Sequence, residues 1–165
     1  MAGRITKAEQ QLRPDPRYGD KILSRFINCV MHKGKKAVAQ RNVYAAMDII
    51  RGRLEKEEEA EGKPKTELEL FRKAIENVKP YVEVRSKRIG GANYQVPIQV
   101  NRKRQQSLAF RWLINAARSE KGRPISKSLA DELYAAARGE GKAMTLREQT
   151  HRMADANKAF AHYAR

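Results

Sequence analysis

Hydrophobic residues recur along most of the chain at the spacing that places them on one face of an α-helix. The first such stretch covers residues 20–31, and the second covers residues 35–54. We expect Gly34 to end the first helix as a C-terminal cap, because glycine readily adopts the left-handed conformation found there. Thr66 and Glu69 have the spacing of a capping box, in which each side chain satisfies a free backbone donor, and they predict the start of a third helix.

The spacing changes in the middle of the chain, where apolar and polar residues alternate over two short runs. The runs are separated by Gly90-Gly91-Ala92-Asn93, whose composition is typical of a turn. This pattern predicts a two-stranded β-hairpin at about residues 81–100. An isolated hairpin is only marginally stable in water. We therefore expect the hairpin to pack on helices or on a ligand.

Helical spacing returns after the hairpin, over residues 102–119. A fifth helix is predicted to begin at Ser126 or Ser128. Thr145 and Glu148 repeat the capping-box spacing and predict the start of a sixth helix, whose apolar face would continue towards the end of the chain.

The two ends of the chain differ in pattern. Residues 1–19 contain two prolines and little periodicity, and we expect them to form an extended basic N-terminal tail. Residues 20–165 are of a length typical of one domain. The pattern therefore predicts a mainly α fold, with a single domain of about six helices and one protruding two-stranded β-hairpin.

The charge of the chain indicates what kind of partner it binds. The chain has 165 residues, and its 35 Lys and Arg against 19 Asp and Glu give a formal net charge of +16. Such an excess opposes compaction unless a polyanion neutralises it, and nucleic acid is the usual polyanion. Residues 21–53 carry +7 and residues 84–119 carry +8, and the second segment contains no acidic residue. We expect that segment to face phosphate and the acidic run at residues 55–61 to point away from it.

The predicted hairpin combines cations with an aromatic residue on a narrow ribbon, which could enter a groove or clamp a strand. Arg85, Lys87 and Arg88 precede the turn, and Tyr94 follows it. Arginine binds phosphate through two parallel hydrogen bonds, and lysine contributes a point charge. These four residues are therefore candidates for nucleic-acid binding.

Two further clusters of cations are candidates for phosphate contact. The first cluster joins the first two predicted helices and consists of Lys33, Lys35 and Lys36. It would place three ammonium groups beside the free amides of a helix N-terminus. The second cluster shares one face of the predicted fourth helix and consists of Arg104, Arg111 and Arg118. It would span about 21 Å, enough to follow a phosphate backbone.

The sequence offers little support for catalysis. His32, His151 and His162 are scattered and have no metal-ligand spacing with Cys29, and no nucleotide-binding glycine motif is present. We expect Cys29 to be a buried small hydrophobe rather than a nucleophile, because it lies beside the apolar stripe of the first helix. No catalytic residue, metal or cofactor is expected.

Cysteine content and apolar runs indicate the compartment. A single cysteine cannot form an internal disulfide, which favours a reducing environment. No apolar run reaches the ~18 residues of a membrane span, and the first twenty residues lack the apolar core of a signal peptide. We therefore expect a cytoplasmic protein with no membrane partner.

Five motifs point to a known family. The longest is Glu83-Val84-Arg85-Ser86-Lys87-Arg88-Ile89-Gly90-Gly91-Ala92-Asn93-Tyr94-Gln95-Val96-Pro97. The others are Asp15-Pro16-Arg17-Tyr18, Gly34-Lys35-Lys36-Ala37, Leu108-Ala109-Phe110-Arg111-Trp112-Leu113 and Met153-Ala154-Asp155-Ala156-Asn157-Lys158-Ala159-Phe160-Ala161-His162. Together they resemble small-subunit ribosomal protein seven of the bacterial type. The resemblance covers about residue 12 to the C-terminus, and residues 55–62 look like an insertion.

The resemblance implies a non-enzymatic structural constituent of the small ribosomal subunit. Such a protein would be a primary ribosomal RNA binder that nucleates assembly of the head (the three-prime major domain). It would lie on the interface side near the exit-site tRNA and the mRNA path, with proteins nine and eleven as neighbours. Together with the cationic clusters, the resemblance gives these expected RNA-binding residues: Lys33, Lys35, Lys36, Arg85, Lys87, Arg88, Tyr94, Arg102, Lys103, Arg104, Arg111 and Arg118.

Two other classes of protein remain as alternatives. A DNA-architectural protein would need a dimer interface and would show little preference for RNA junctions. An RNA-modifying enzyme is the weaker alternative, because the sequence shows no cofactor loop or nucleophile.

Overall fold

The structure is a computed structural model that describes residues 11–56 and 64–164. Its helices are α1 (Lys21–Val30), α2 (Lys36–Leu54), α3 (Glu67–Val78), α4 (Arg102–Ser119), α5 (Ile125–Arg138) and α6 (Lys142–Ala156), followed by a 3-10 helix (Lys158–Ala164). The strands β1 (Val82–Ile89) and β2 (Ala92–Gln99) lie between α3 and α4. The predicted mainly α fold with one two-stranded hairpin is confirmed. Most of the expected insertion and the first half of the expected tail lie outside the described residues.

Side chains at the helix starts explain where two of the helices begin. At α1, the Asp20 carboxylate accepts hydrogen bonds from the backbone N–H groups of Ile22 (2.6 Å) and Leu23 (2.8 Å). The capping box predicted at α3 is confirmed, since the Thr66 hydroxyl accepts from the Glu69 N–H and the Glu69 carboxylate accepts from the Thr66 N–H. These bonds satisfy backbone donors that have no partner inside the helix.

The hairpin is antiparallel, with Ile89 opposite Ala92 next to the turn. Gly90 and Gly91 form the two-residue connection, and both have positive φ angles, 55° and 87°. A turn with two positive φ angles matches the right-handed twist of the strands, and glycine adopts it without steric cost. The residues around the turn are exposed, so the hairpin protrudes from the helical body.

The core is made by the apolar faces of the helices. Three aromatic rings meet at its centre, where Phe26 contacts Phe71 and Phe110 edge to face at centroid distances of 5.3 and 5.2 Å. Helix α5 packs against α2, α3 and α4, and its Leu129 and Leu133 are almost completely buried. Because the helices supply this core, the hairpin is left largely at the surface.

The predicted end of the first helix is wrong. Helix α1 ends at Val30, and the N–H of Met31 donates to the Ile27 carbonyl at 3.0 Å. Gly34 does have a positive φ of 75°, but it lies in the turn that leads into α2. The left-handed conformation was therefore expected correctly and assigned to the wrong feature.

The predicted start of the sixth helix is also wrong. Helix α6 begins at Lys142, and Thr145 lies inside it, where its hydroxyl donates to the Gly141 carbonyl at 3.1 Å. The reason lies on the neighbouring helix, since the buried Glu132 carboxylate of α5 accepts from the N–H of Ala143 at 2.7 Å. The helix also ends earlier than expected, because the chain continues as the 3-10 helix after residue 157.

The described part of the expected tail ends in a turn that packs on α2. The Asp15 carboxylate accepts hydrogen bonds from the N–H groups of Arg17 and Tyr18 (both 3.1 Å) and from the Tyr44 hydroxyl (2.8 Å). The Tyr18 hydroxyl donates to Glu67, and burial together with the charge of Glu67 raises the pKa of Tyr18 to about 12. These contacts hold the turn against the helical body.

Candidate nucleic-acid interface

The register of the hairpin separates the predicted cations onto two faces. Side chains alternate across a strand, so Arg85 and Lys87 lie on one face and Arg88 lies on the other. Tyr94 is directly opposite Lys87 and shares its face. The hairpin thus presents cations in two directions rather than one.

The face with Lys87 and Tyr94 is covered near the turn by the C-terminal 3-10 helix. The Tyr94 ring centroid lies 5.2 Å from that of Phe160 and 5.6 Å from that of Tyr163. The Lys87 ammonium donates to the backbone carbonyl of Tyr163 at 2.8 Å. The hairpin therefore packs on helices as expected, namely this 3-10 helix and α6. The half-buried Tyr94 ring belongs to an aromatic cluster within the protein.

Glu83 has no role in the sequence-based prediction, yet it lies between two of the predicted arginines. It is buried, with only 7% of its surface exposed. Arg85 Nε donates to Glu83 Oε1 at 2.6 Å, and Arg104 Nε donates to Glu83 Oε2 at 3.1 Å. The carboxylate therefore connects the base of the hairpin to the first turn of α4. Of these two contacts, the one between Glu83 and Arg85 can be predicted from the sequence, because residues two apart on a strand share a face.

Helix α4 carries the arginine stripe from the hairpin to the loop between α1 and α2. Arg104 is half-buried at one end, and Arg111 is exposed near the middle. At the other end, Arg118 Nη2 donates to the backbone carbonyl of Val30 at 2.9 Å. The arginines at both ends of the stripe are thus hydrogen-bonded to the protein, whereas Arg111 near its middle is exposed to solvent.

The first turn of α4 holds three consecutive cations. Arg102 and Lys103 are exposed there, next to Arg104, and the turn contains no acidic residue. The N-terminus of a helix carries a partial positive charge, so these cations add to that charge rather than offset it. An anion at this turn would be stabilised by both.

A groove of about 580 Å³ lies between the α1–α2 loop and the C-terminal end of α4. Its lining includes Lys33, Lys35 and Arg118, so it brings two of the predicted clusters together. Helix α2 begins at Lys36 without a side-chain cap, which leaves backbone N–H groups of its first turn available to an anion. Lys33 has a φ of 51°, a left-handed conformation that is uncommon for residues other than glycine.

The side chains of six of the predicted cations form neither an ion pair nor a hydrogen bond with any group in residues 11–56 and 64–164. They are Lys33, Lys35, Lys36, Arg88, Arg102 and Arg111. Arg85 and Arg104, by contrast, share the carboxylate of Glu83. The candidate interface therefore contains cations with protein partners and cations whose charge is left for a ligand.

Three aspartates elsewhere on the protein are paired with arginines. Hydrogen bonds from Arg17 lower the pKa of Asp48. Burial alone would raise the pKa of Asp20, but hydrogen bonds from Arg72 and from backbone N–H groups outweigh burial and lower it. The pKa of Asp131 is lowered in the same way by two arginines. These arginines hold the fold together and have partners within the protein.

Within the part of the chain that the structure describes, no three His, Cys, Asp or Glu residues are grouped so as to hold a metal ion. Cys29 is exposed, so its predicted burial is wrong. Desolvation by neighbouring atoms nevertheless raises the pKa of its thiol, which disfavours the nucleophilic thiolate. No described helix is both long enough and apolar enough to cross a membrane.

Comparison with known proteins assigns the chain to a family. The family model described as ribosomal protein S7p/S5e matches residues 2–158. The chain is also similar to three proteins named small ribosomal subunit protein uS7. Identity is 57% to that of Rhodopirellula baltica, over 98% of this chain and 99% of the relative. It is 51% to that of Thermotoga neapolitana (97% and 98%) and 48% to that of Methylobacterium radiotolerans (99% and 99%).

These matches extend over nearly the whole chain and include the hairpin, α4 and the α1–α2 loop. Proteins of this family are structural, non-enzymatic components of the ribosome. The chain therefore belongs to the ribosomal protein S7p/S5e family.

Proposed function

We propose that this protein is a primary ribosomal RNA-binding protein that nucleates assembly of the head of the small subunit. Its structural role in the small ribosomal subunit follows from its family. The proposal adds that the protein binds the three-prime major domain of the RNA directly, before other proteins do. It also locates the protein on the interface side, near the exit-site tRNA.

The observation that carries the proposal is the position of α4 between two other cationic elements. Glu83 joins its N-terminal end to the hairpin, and the bond from Arg118 to Val30 joins its C-terminal end to α1. Arg104 and Arg118 are separated by roughly 21 Å along the helix. We call the hairpin, α4 and the α1–α2 loop together the α4 surface. Its length suits several successive phosphates.

Two turns of the α4 surface are suited to phosphate. The first turn of α2 has no side-chain cap and is preceded by Lys33 and Lys35. The first turn of α4 carries cations and no acid. Anions are stabilised at helix N-termini by backbone N–H groups and by the helix dipole. Proposed RNA contacts are Lys33, Lys35, Lys36, Arg85, Lys87, Arg88, Tyr94, Arg102, Lys103, Arg104, Arg111 and Arg118.

The two faces of the hairpin support contact with more than one RNA segment. Arg85 and Arg88 point to opposite sides, so a single strand lying on one face leaves the other accessible. We assign the exposed tip to the neighbourhood of the exit-site tRNA and the mRNA path. Proteins nine and eleven of the small subunit are the proposed protein neighbours.

The proposed mechanism is architectural. Side chains cannot read the deep major groove of A-form RNA, so recognition depends on phosphates, 2′-hydroxyl groups and the shape of junctions. A rigid protein surface that contacts several RNA segments at once fixes their relative orientation. Assembly of the head would then start from this fixed junction.

The test is binding of the full-length protein to a transcript of the isolated three-prime major domain, with no other protein present. Filter binding measures the affinity, and duplex DNA serves as competitor. We expect binding that survives an excess of DNA. Binding that appears only after another protein is added would contradict a primary role, and equal competition by DNA would favour the DNA-architectural alternative.

A pair of matched variants locates the surface. The double variant Lys35→Ala, Arg111→Ala removes two cations that have no carboxylate partner in the described residues. The control Arg51→Ala, Arg123→Ala removes the same charge from residues that pair with Asp48 and Glu120. We expect the first pair to weaken RNA binding much more than the second. Equal losses would mean that net charge, and not the α4 surface, determines affinity.

A further inference from the structure

Glu83 is the only acidic residue in the sequence of the hairpin, and it directly precedes the acid-free segment. A carboxylate on an RNA-facing element repels phosphate, so on charge alone it weakens binding. Glutamate is also rarely buried unless it is paired. The position of Glu83 therefore calls for a specific role.

The geometry around Glu83 supplies that role. One carboxylate oxygen accepts from Arg85 Nε at 2.6 Å, and the other accepts from Arg104 Nε at 3.1 Å and forms an ion pair with Arg104 Nη2 at 3.1 Å. The Glu83 side chain is 10% exposed, whereas those of Arg85 and Arg104 are 55% and 38% exposed. Each guanidinium has five donor hydrogens. Both arginines therefore keep donors directed to solvent while one edge is held by the protein.

We propose that Glu83 is a positioning residue, which holds Arg85 and Arg104 in the orientation that receives phosphate and fixes the hairpin against α4. This inference rests on the proposed function, since it requires both arginines to contact RNA. A long side chain that is already ordered loses less rotamer freedom when it binds. The carboxylate thus strengthens binding through the two arginines, although its own charge opposes binding.

The direction in which Glu83→Gln changes RNA affinity distinguishes a positioning role from a simple effect of charge. Glu83→Gln keeps the size of the side chain and raises the net charge by one. Simple electrostatics predicts tighter binding to RNA and a steeper salt dependence. Positioning predicts weaker binding, by about three- to tenfold, a coupling within the range found for residues in one hydrogen-bond network.

Asp48→Asn is the matched control. It makes the same change in charge at an exposed carboxylate that pairs with Arg17 and Arg51, outside the α4 surface. We expect it to bind RNA as tightly as the unaltered protein, or slightly more tightly. Of the two substitutions, only Glu83→Gln should therefore weaken binding.

A double-mutant cycle distinguishes positioning from a merely structural role. Glu83→Gln is introduced into the unaltered protein and into an Arg85→Ala, Arg104→Ala background. Affinity for the three-prime major-domain transcript is measured by filter binding and corrected for the active protein fraction. If Glu83 acts through the two arginines, the substitution weakens binding in the first background and leaves it unchanged or tighter in the second. A structural defect would weaken both equally and overturn the proposal.

Failure of this inference can be told apart from failure of the proposed function. If Arg85→Ala, Arg104→Ala itself leaves affinity unchanged, these arginines do not bind RNA and the proposed function of the surface fails there. If that variant weakens binding but Glu83→Gln does not, only the positioning role is overturned. Should circular dichroism show that Glu83→Gln is unfolded, Glu83→Asp replaces it in the same cycle. Aspartate keeps the charge and shortens the reach to both guanidinium groups, so the same weakening is expected.

Discussion

Six predicted cations have side chains with no ion pair or hydrogen bond among the described residues, and they set a minimum for how steeply RNA affinity should fall with salt. Each phosphate neutralised by the protein contributes about −0.7 to the slope of log K against log salt for a single strand, and about −0.9 for a duplex. These six contacts alone therefore give a slope of about −4 to −5, and the contacts proposed for Arg85 and Arg104 would make it steeper. A fourfold rise in salt would weaken binding by about 300-fold or more.

Arg111→Ala tests this reasoning at one position. Arg111 is exposed near the middle of α4 and forms no ion pair within residues 11–56 and 64–164, so its removal should leave the fold intact. The slope should become shallower by about 0.7–0.9, because one phosphate contact is lost. Arg51→Ala is the control, since Arg51 pairs with Asp48 and should leave the slope unchanged. The assay is filter binding to the three-prime major-domain transcript at four or more salt concentrations.

Two results would refute the reasoning. A slope near −1 for the unaltered protein would mean that most of the six cations do not contact phosphate. An equal change in slope for Arg111→Ala and Arg51→Ala would mean that the absence of a carboxylate partner does not identify the contacting residues.

Three further predictions concern stability. The folded-state pKa values of Asp20, Asp48 and Asp131 are lowered, so the unfolded chain takes up protons at higher pH. The free energy of unfolding, from urea titrations, should therefore fall as the pH drops from about 5 to about 3; an unchanged free energy over that range would contradict this. Phe26→Ala should lower that free energy by about 3–5 kcal/mol, because it leaves a cavity between two buried rings; a loss below about 1 kcal/mol would show that the core collapses around the site. Lys33→Gly should raise it by about 1 kcal/mol, since glycine adopts a φ of 51° without strain, and should weaken RNA binding; lower stability would show that the lysine has packing contacts that outweigh its strain.

Most of the secondary structure could be predicted because a helix or strand that is buried on one face has apolar residues at regular spacing in the sequence. The apolar stripes of α2 and α4 give their extents to within a residue or two of the observed bounds. The alternating runs and the Gly90-Gly91 turn give the hairpin at Val82–Ile89 and Ala92–Gln99. These features depend on neighbouring residues in the sequence, so they can be read locally.

The features that could not be predicted depend on groups distant in the sequence. The start of α6 is set partly by Glu132, which belongs to another helix and accepts from the Ala143 N–H. The capping-box spacing at Thr145 is real, but the preceding chain is already helical. A local pattern cannot reveal that a neighbouring helix supplies the acceptor.

The candidate interface likewise has features that the sequence predicts and features that it does not. Counting charges locates the cationic segments, because it needs only the order of the residues. It does not reveal which cations are held by the protein. Arg104 is bound by Glu83, 21 positions away, and Arg118 by the carbonyl of Val30, 88 positions away. Only the fold brings these groups together.

The basic residues of this protein are of two kinds, which the amino-acid composition alone does not distinguish: those paired with carboxylates and those without such partners. Arg17, Arg53 and Arg72 each pair with an aspartate, so they offset charge within the protein and stabilise the fold. Cations without such partners, such as Arg111, repel the rest of a strongly basic chain until a polyanion binds. Their contribution to the free protein is therefore neutral or unfavourable, and their benefit arises only in the complex. Functional surfaces commonly carry such a cost in stability. The α4 surface is thus best understood as the part of the protein whose charge is balanced by RNA.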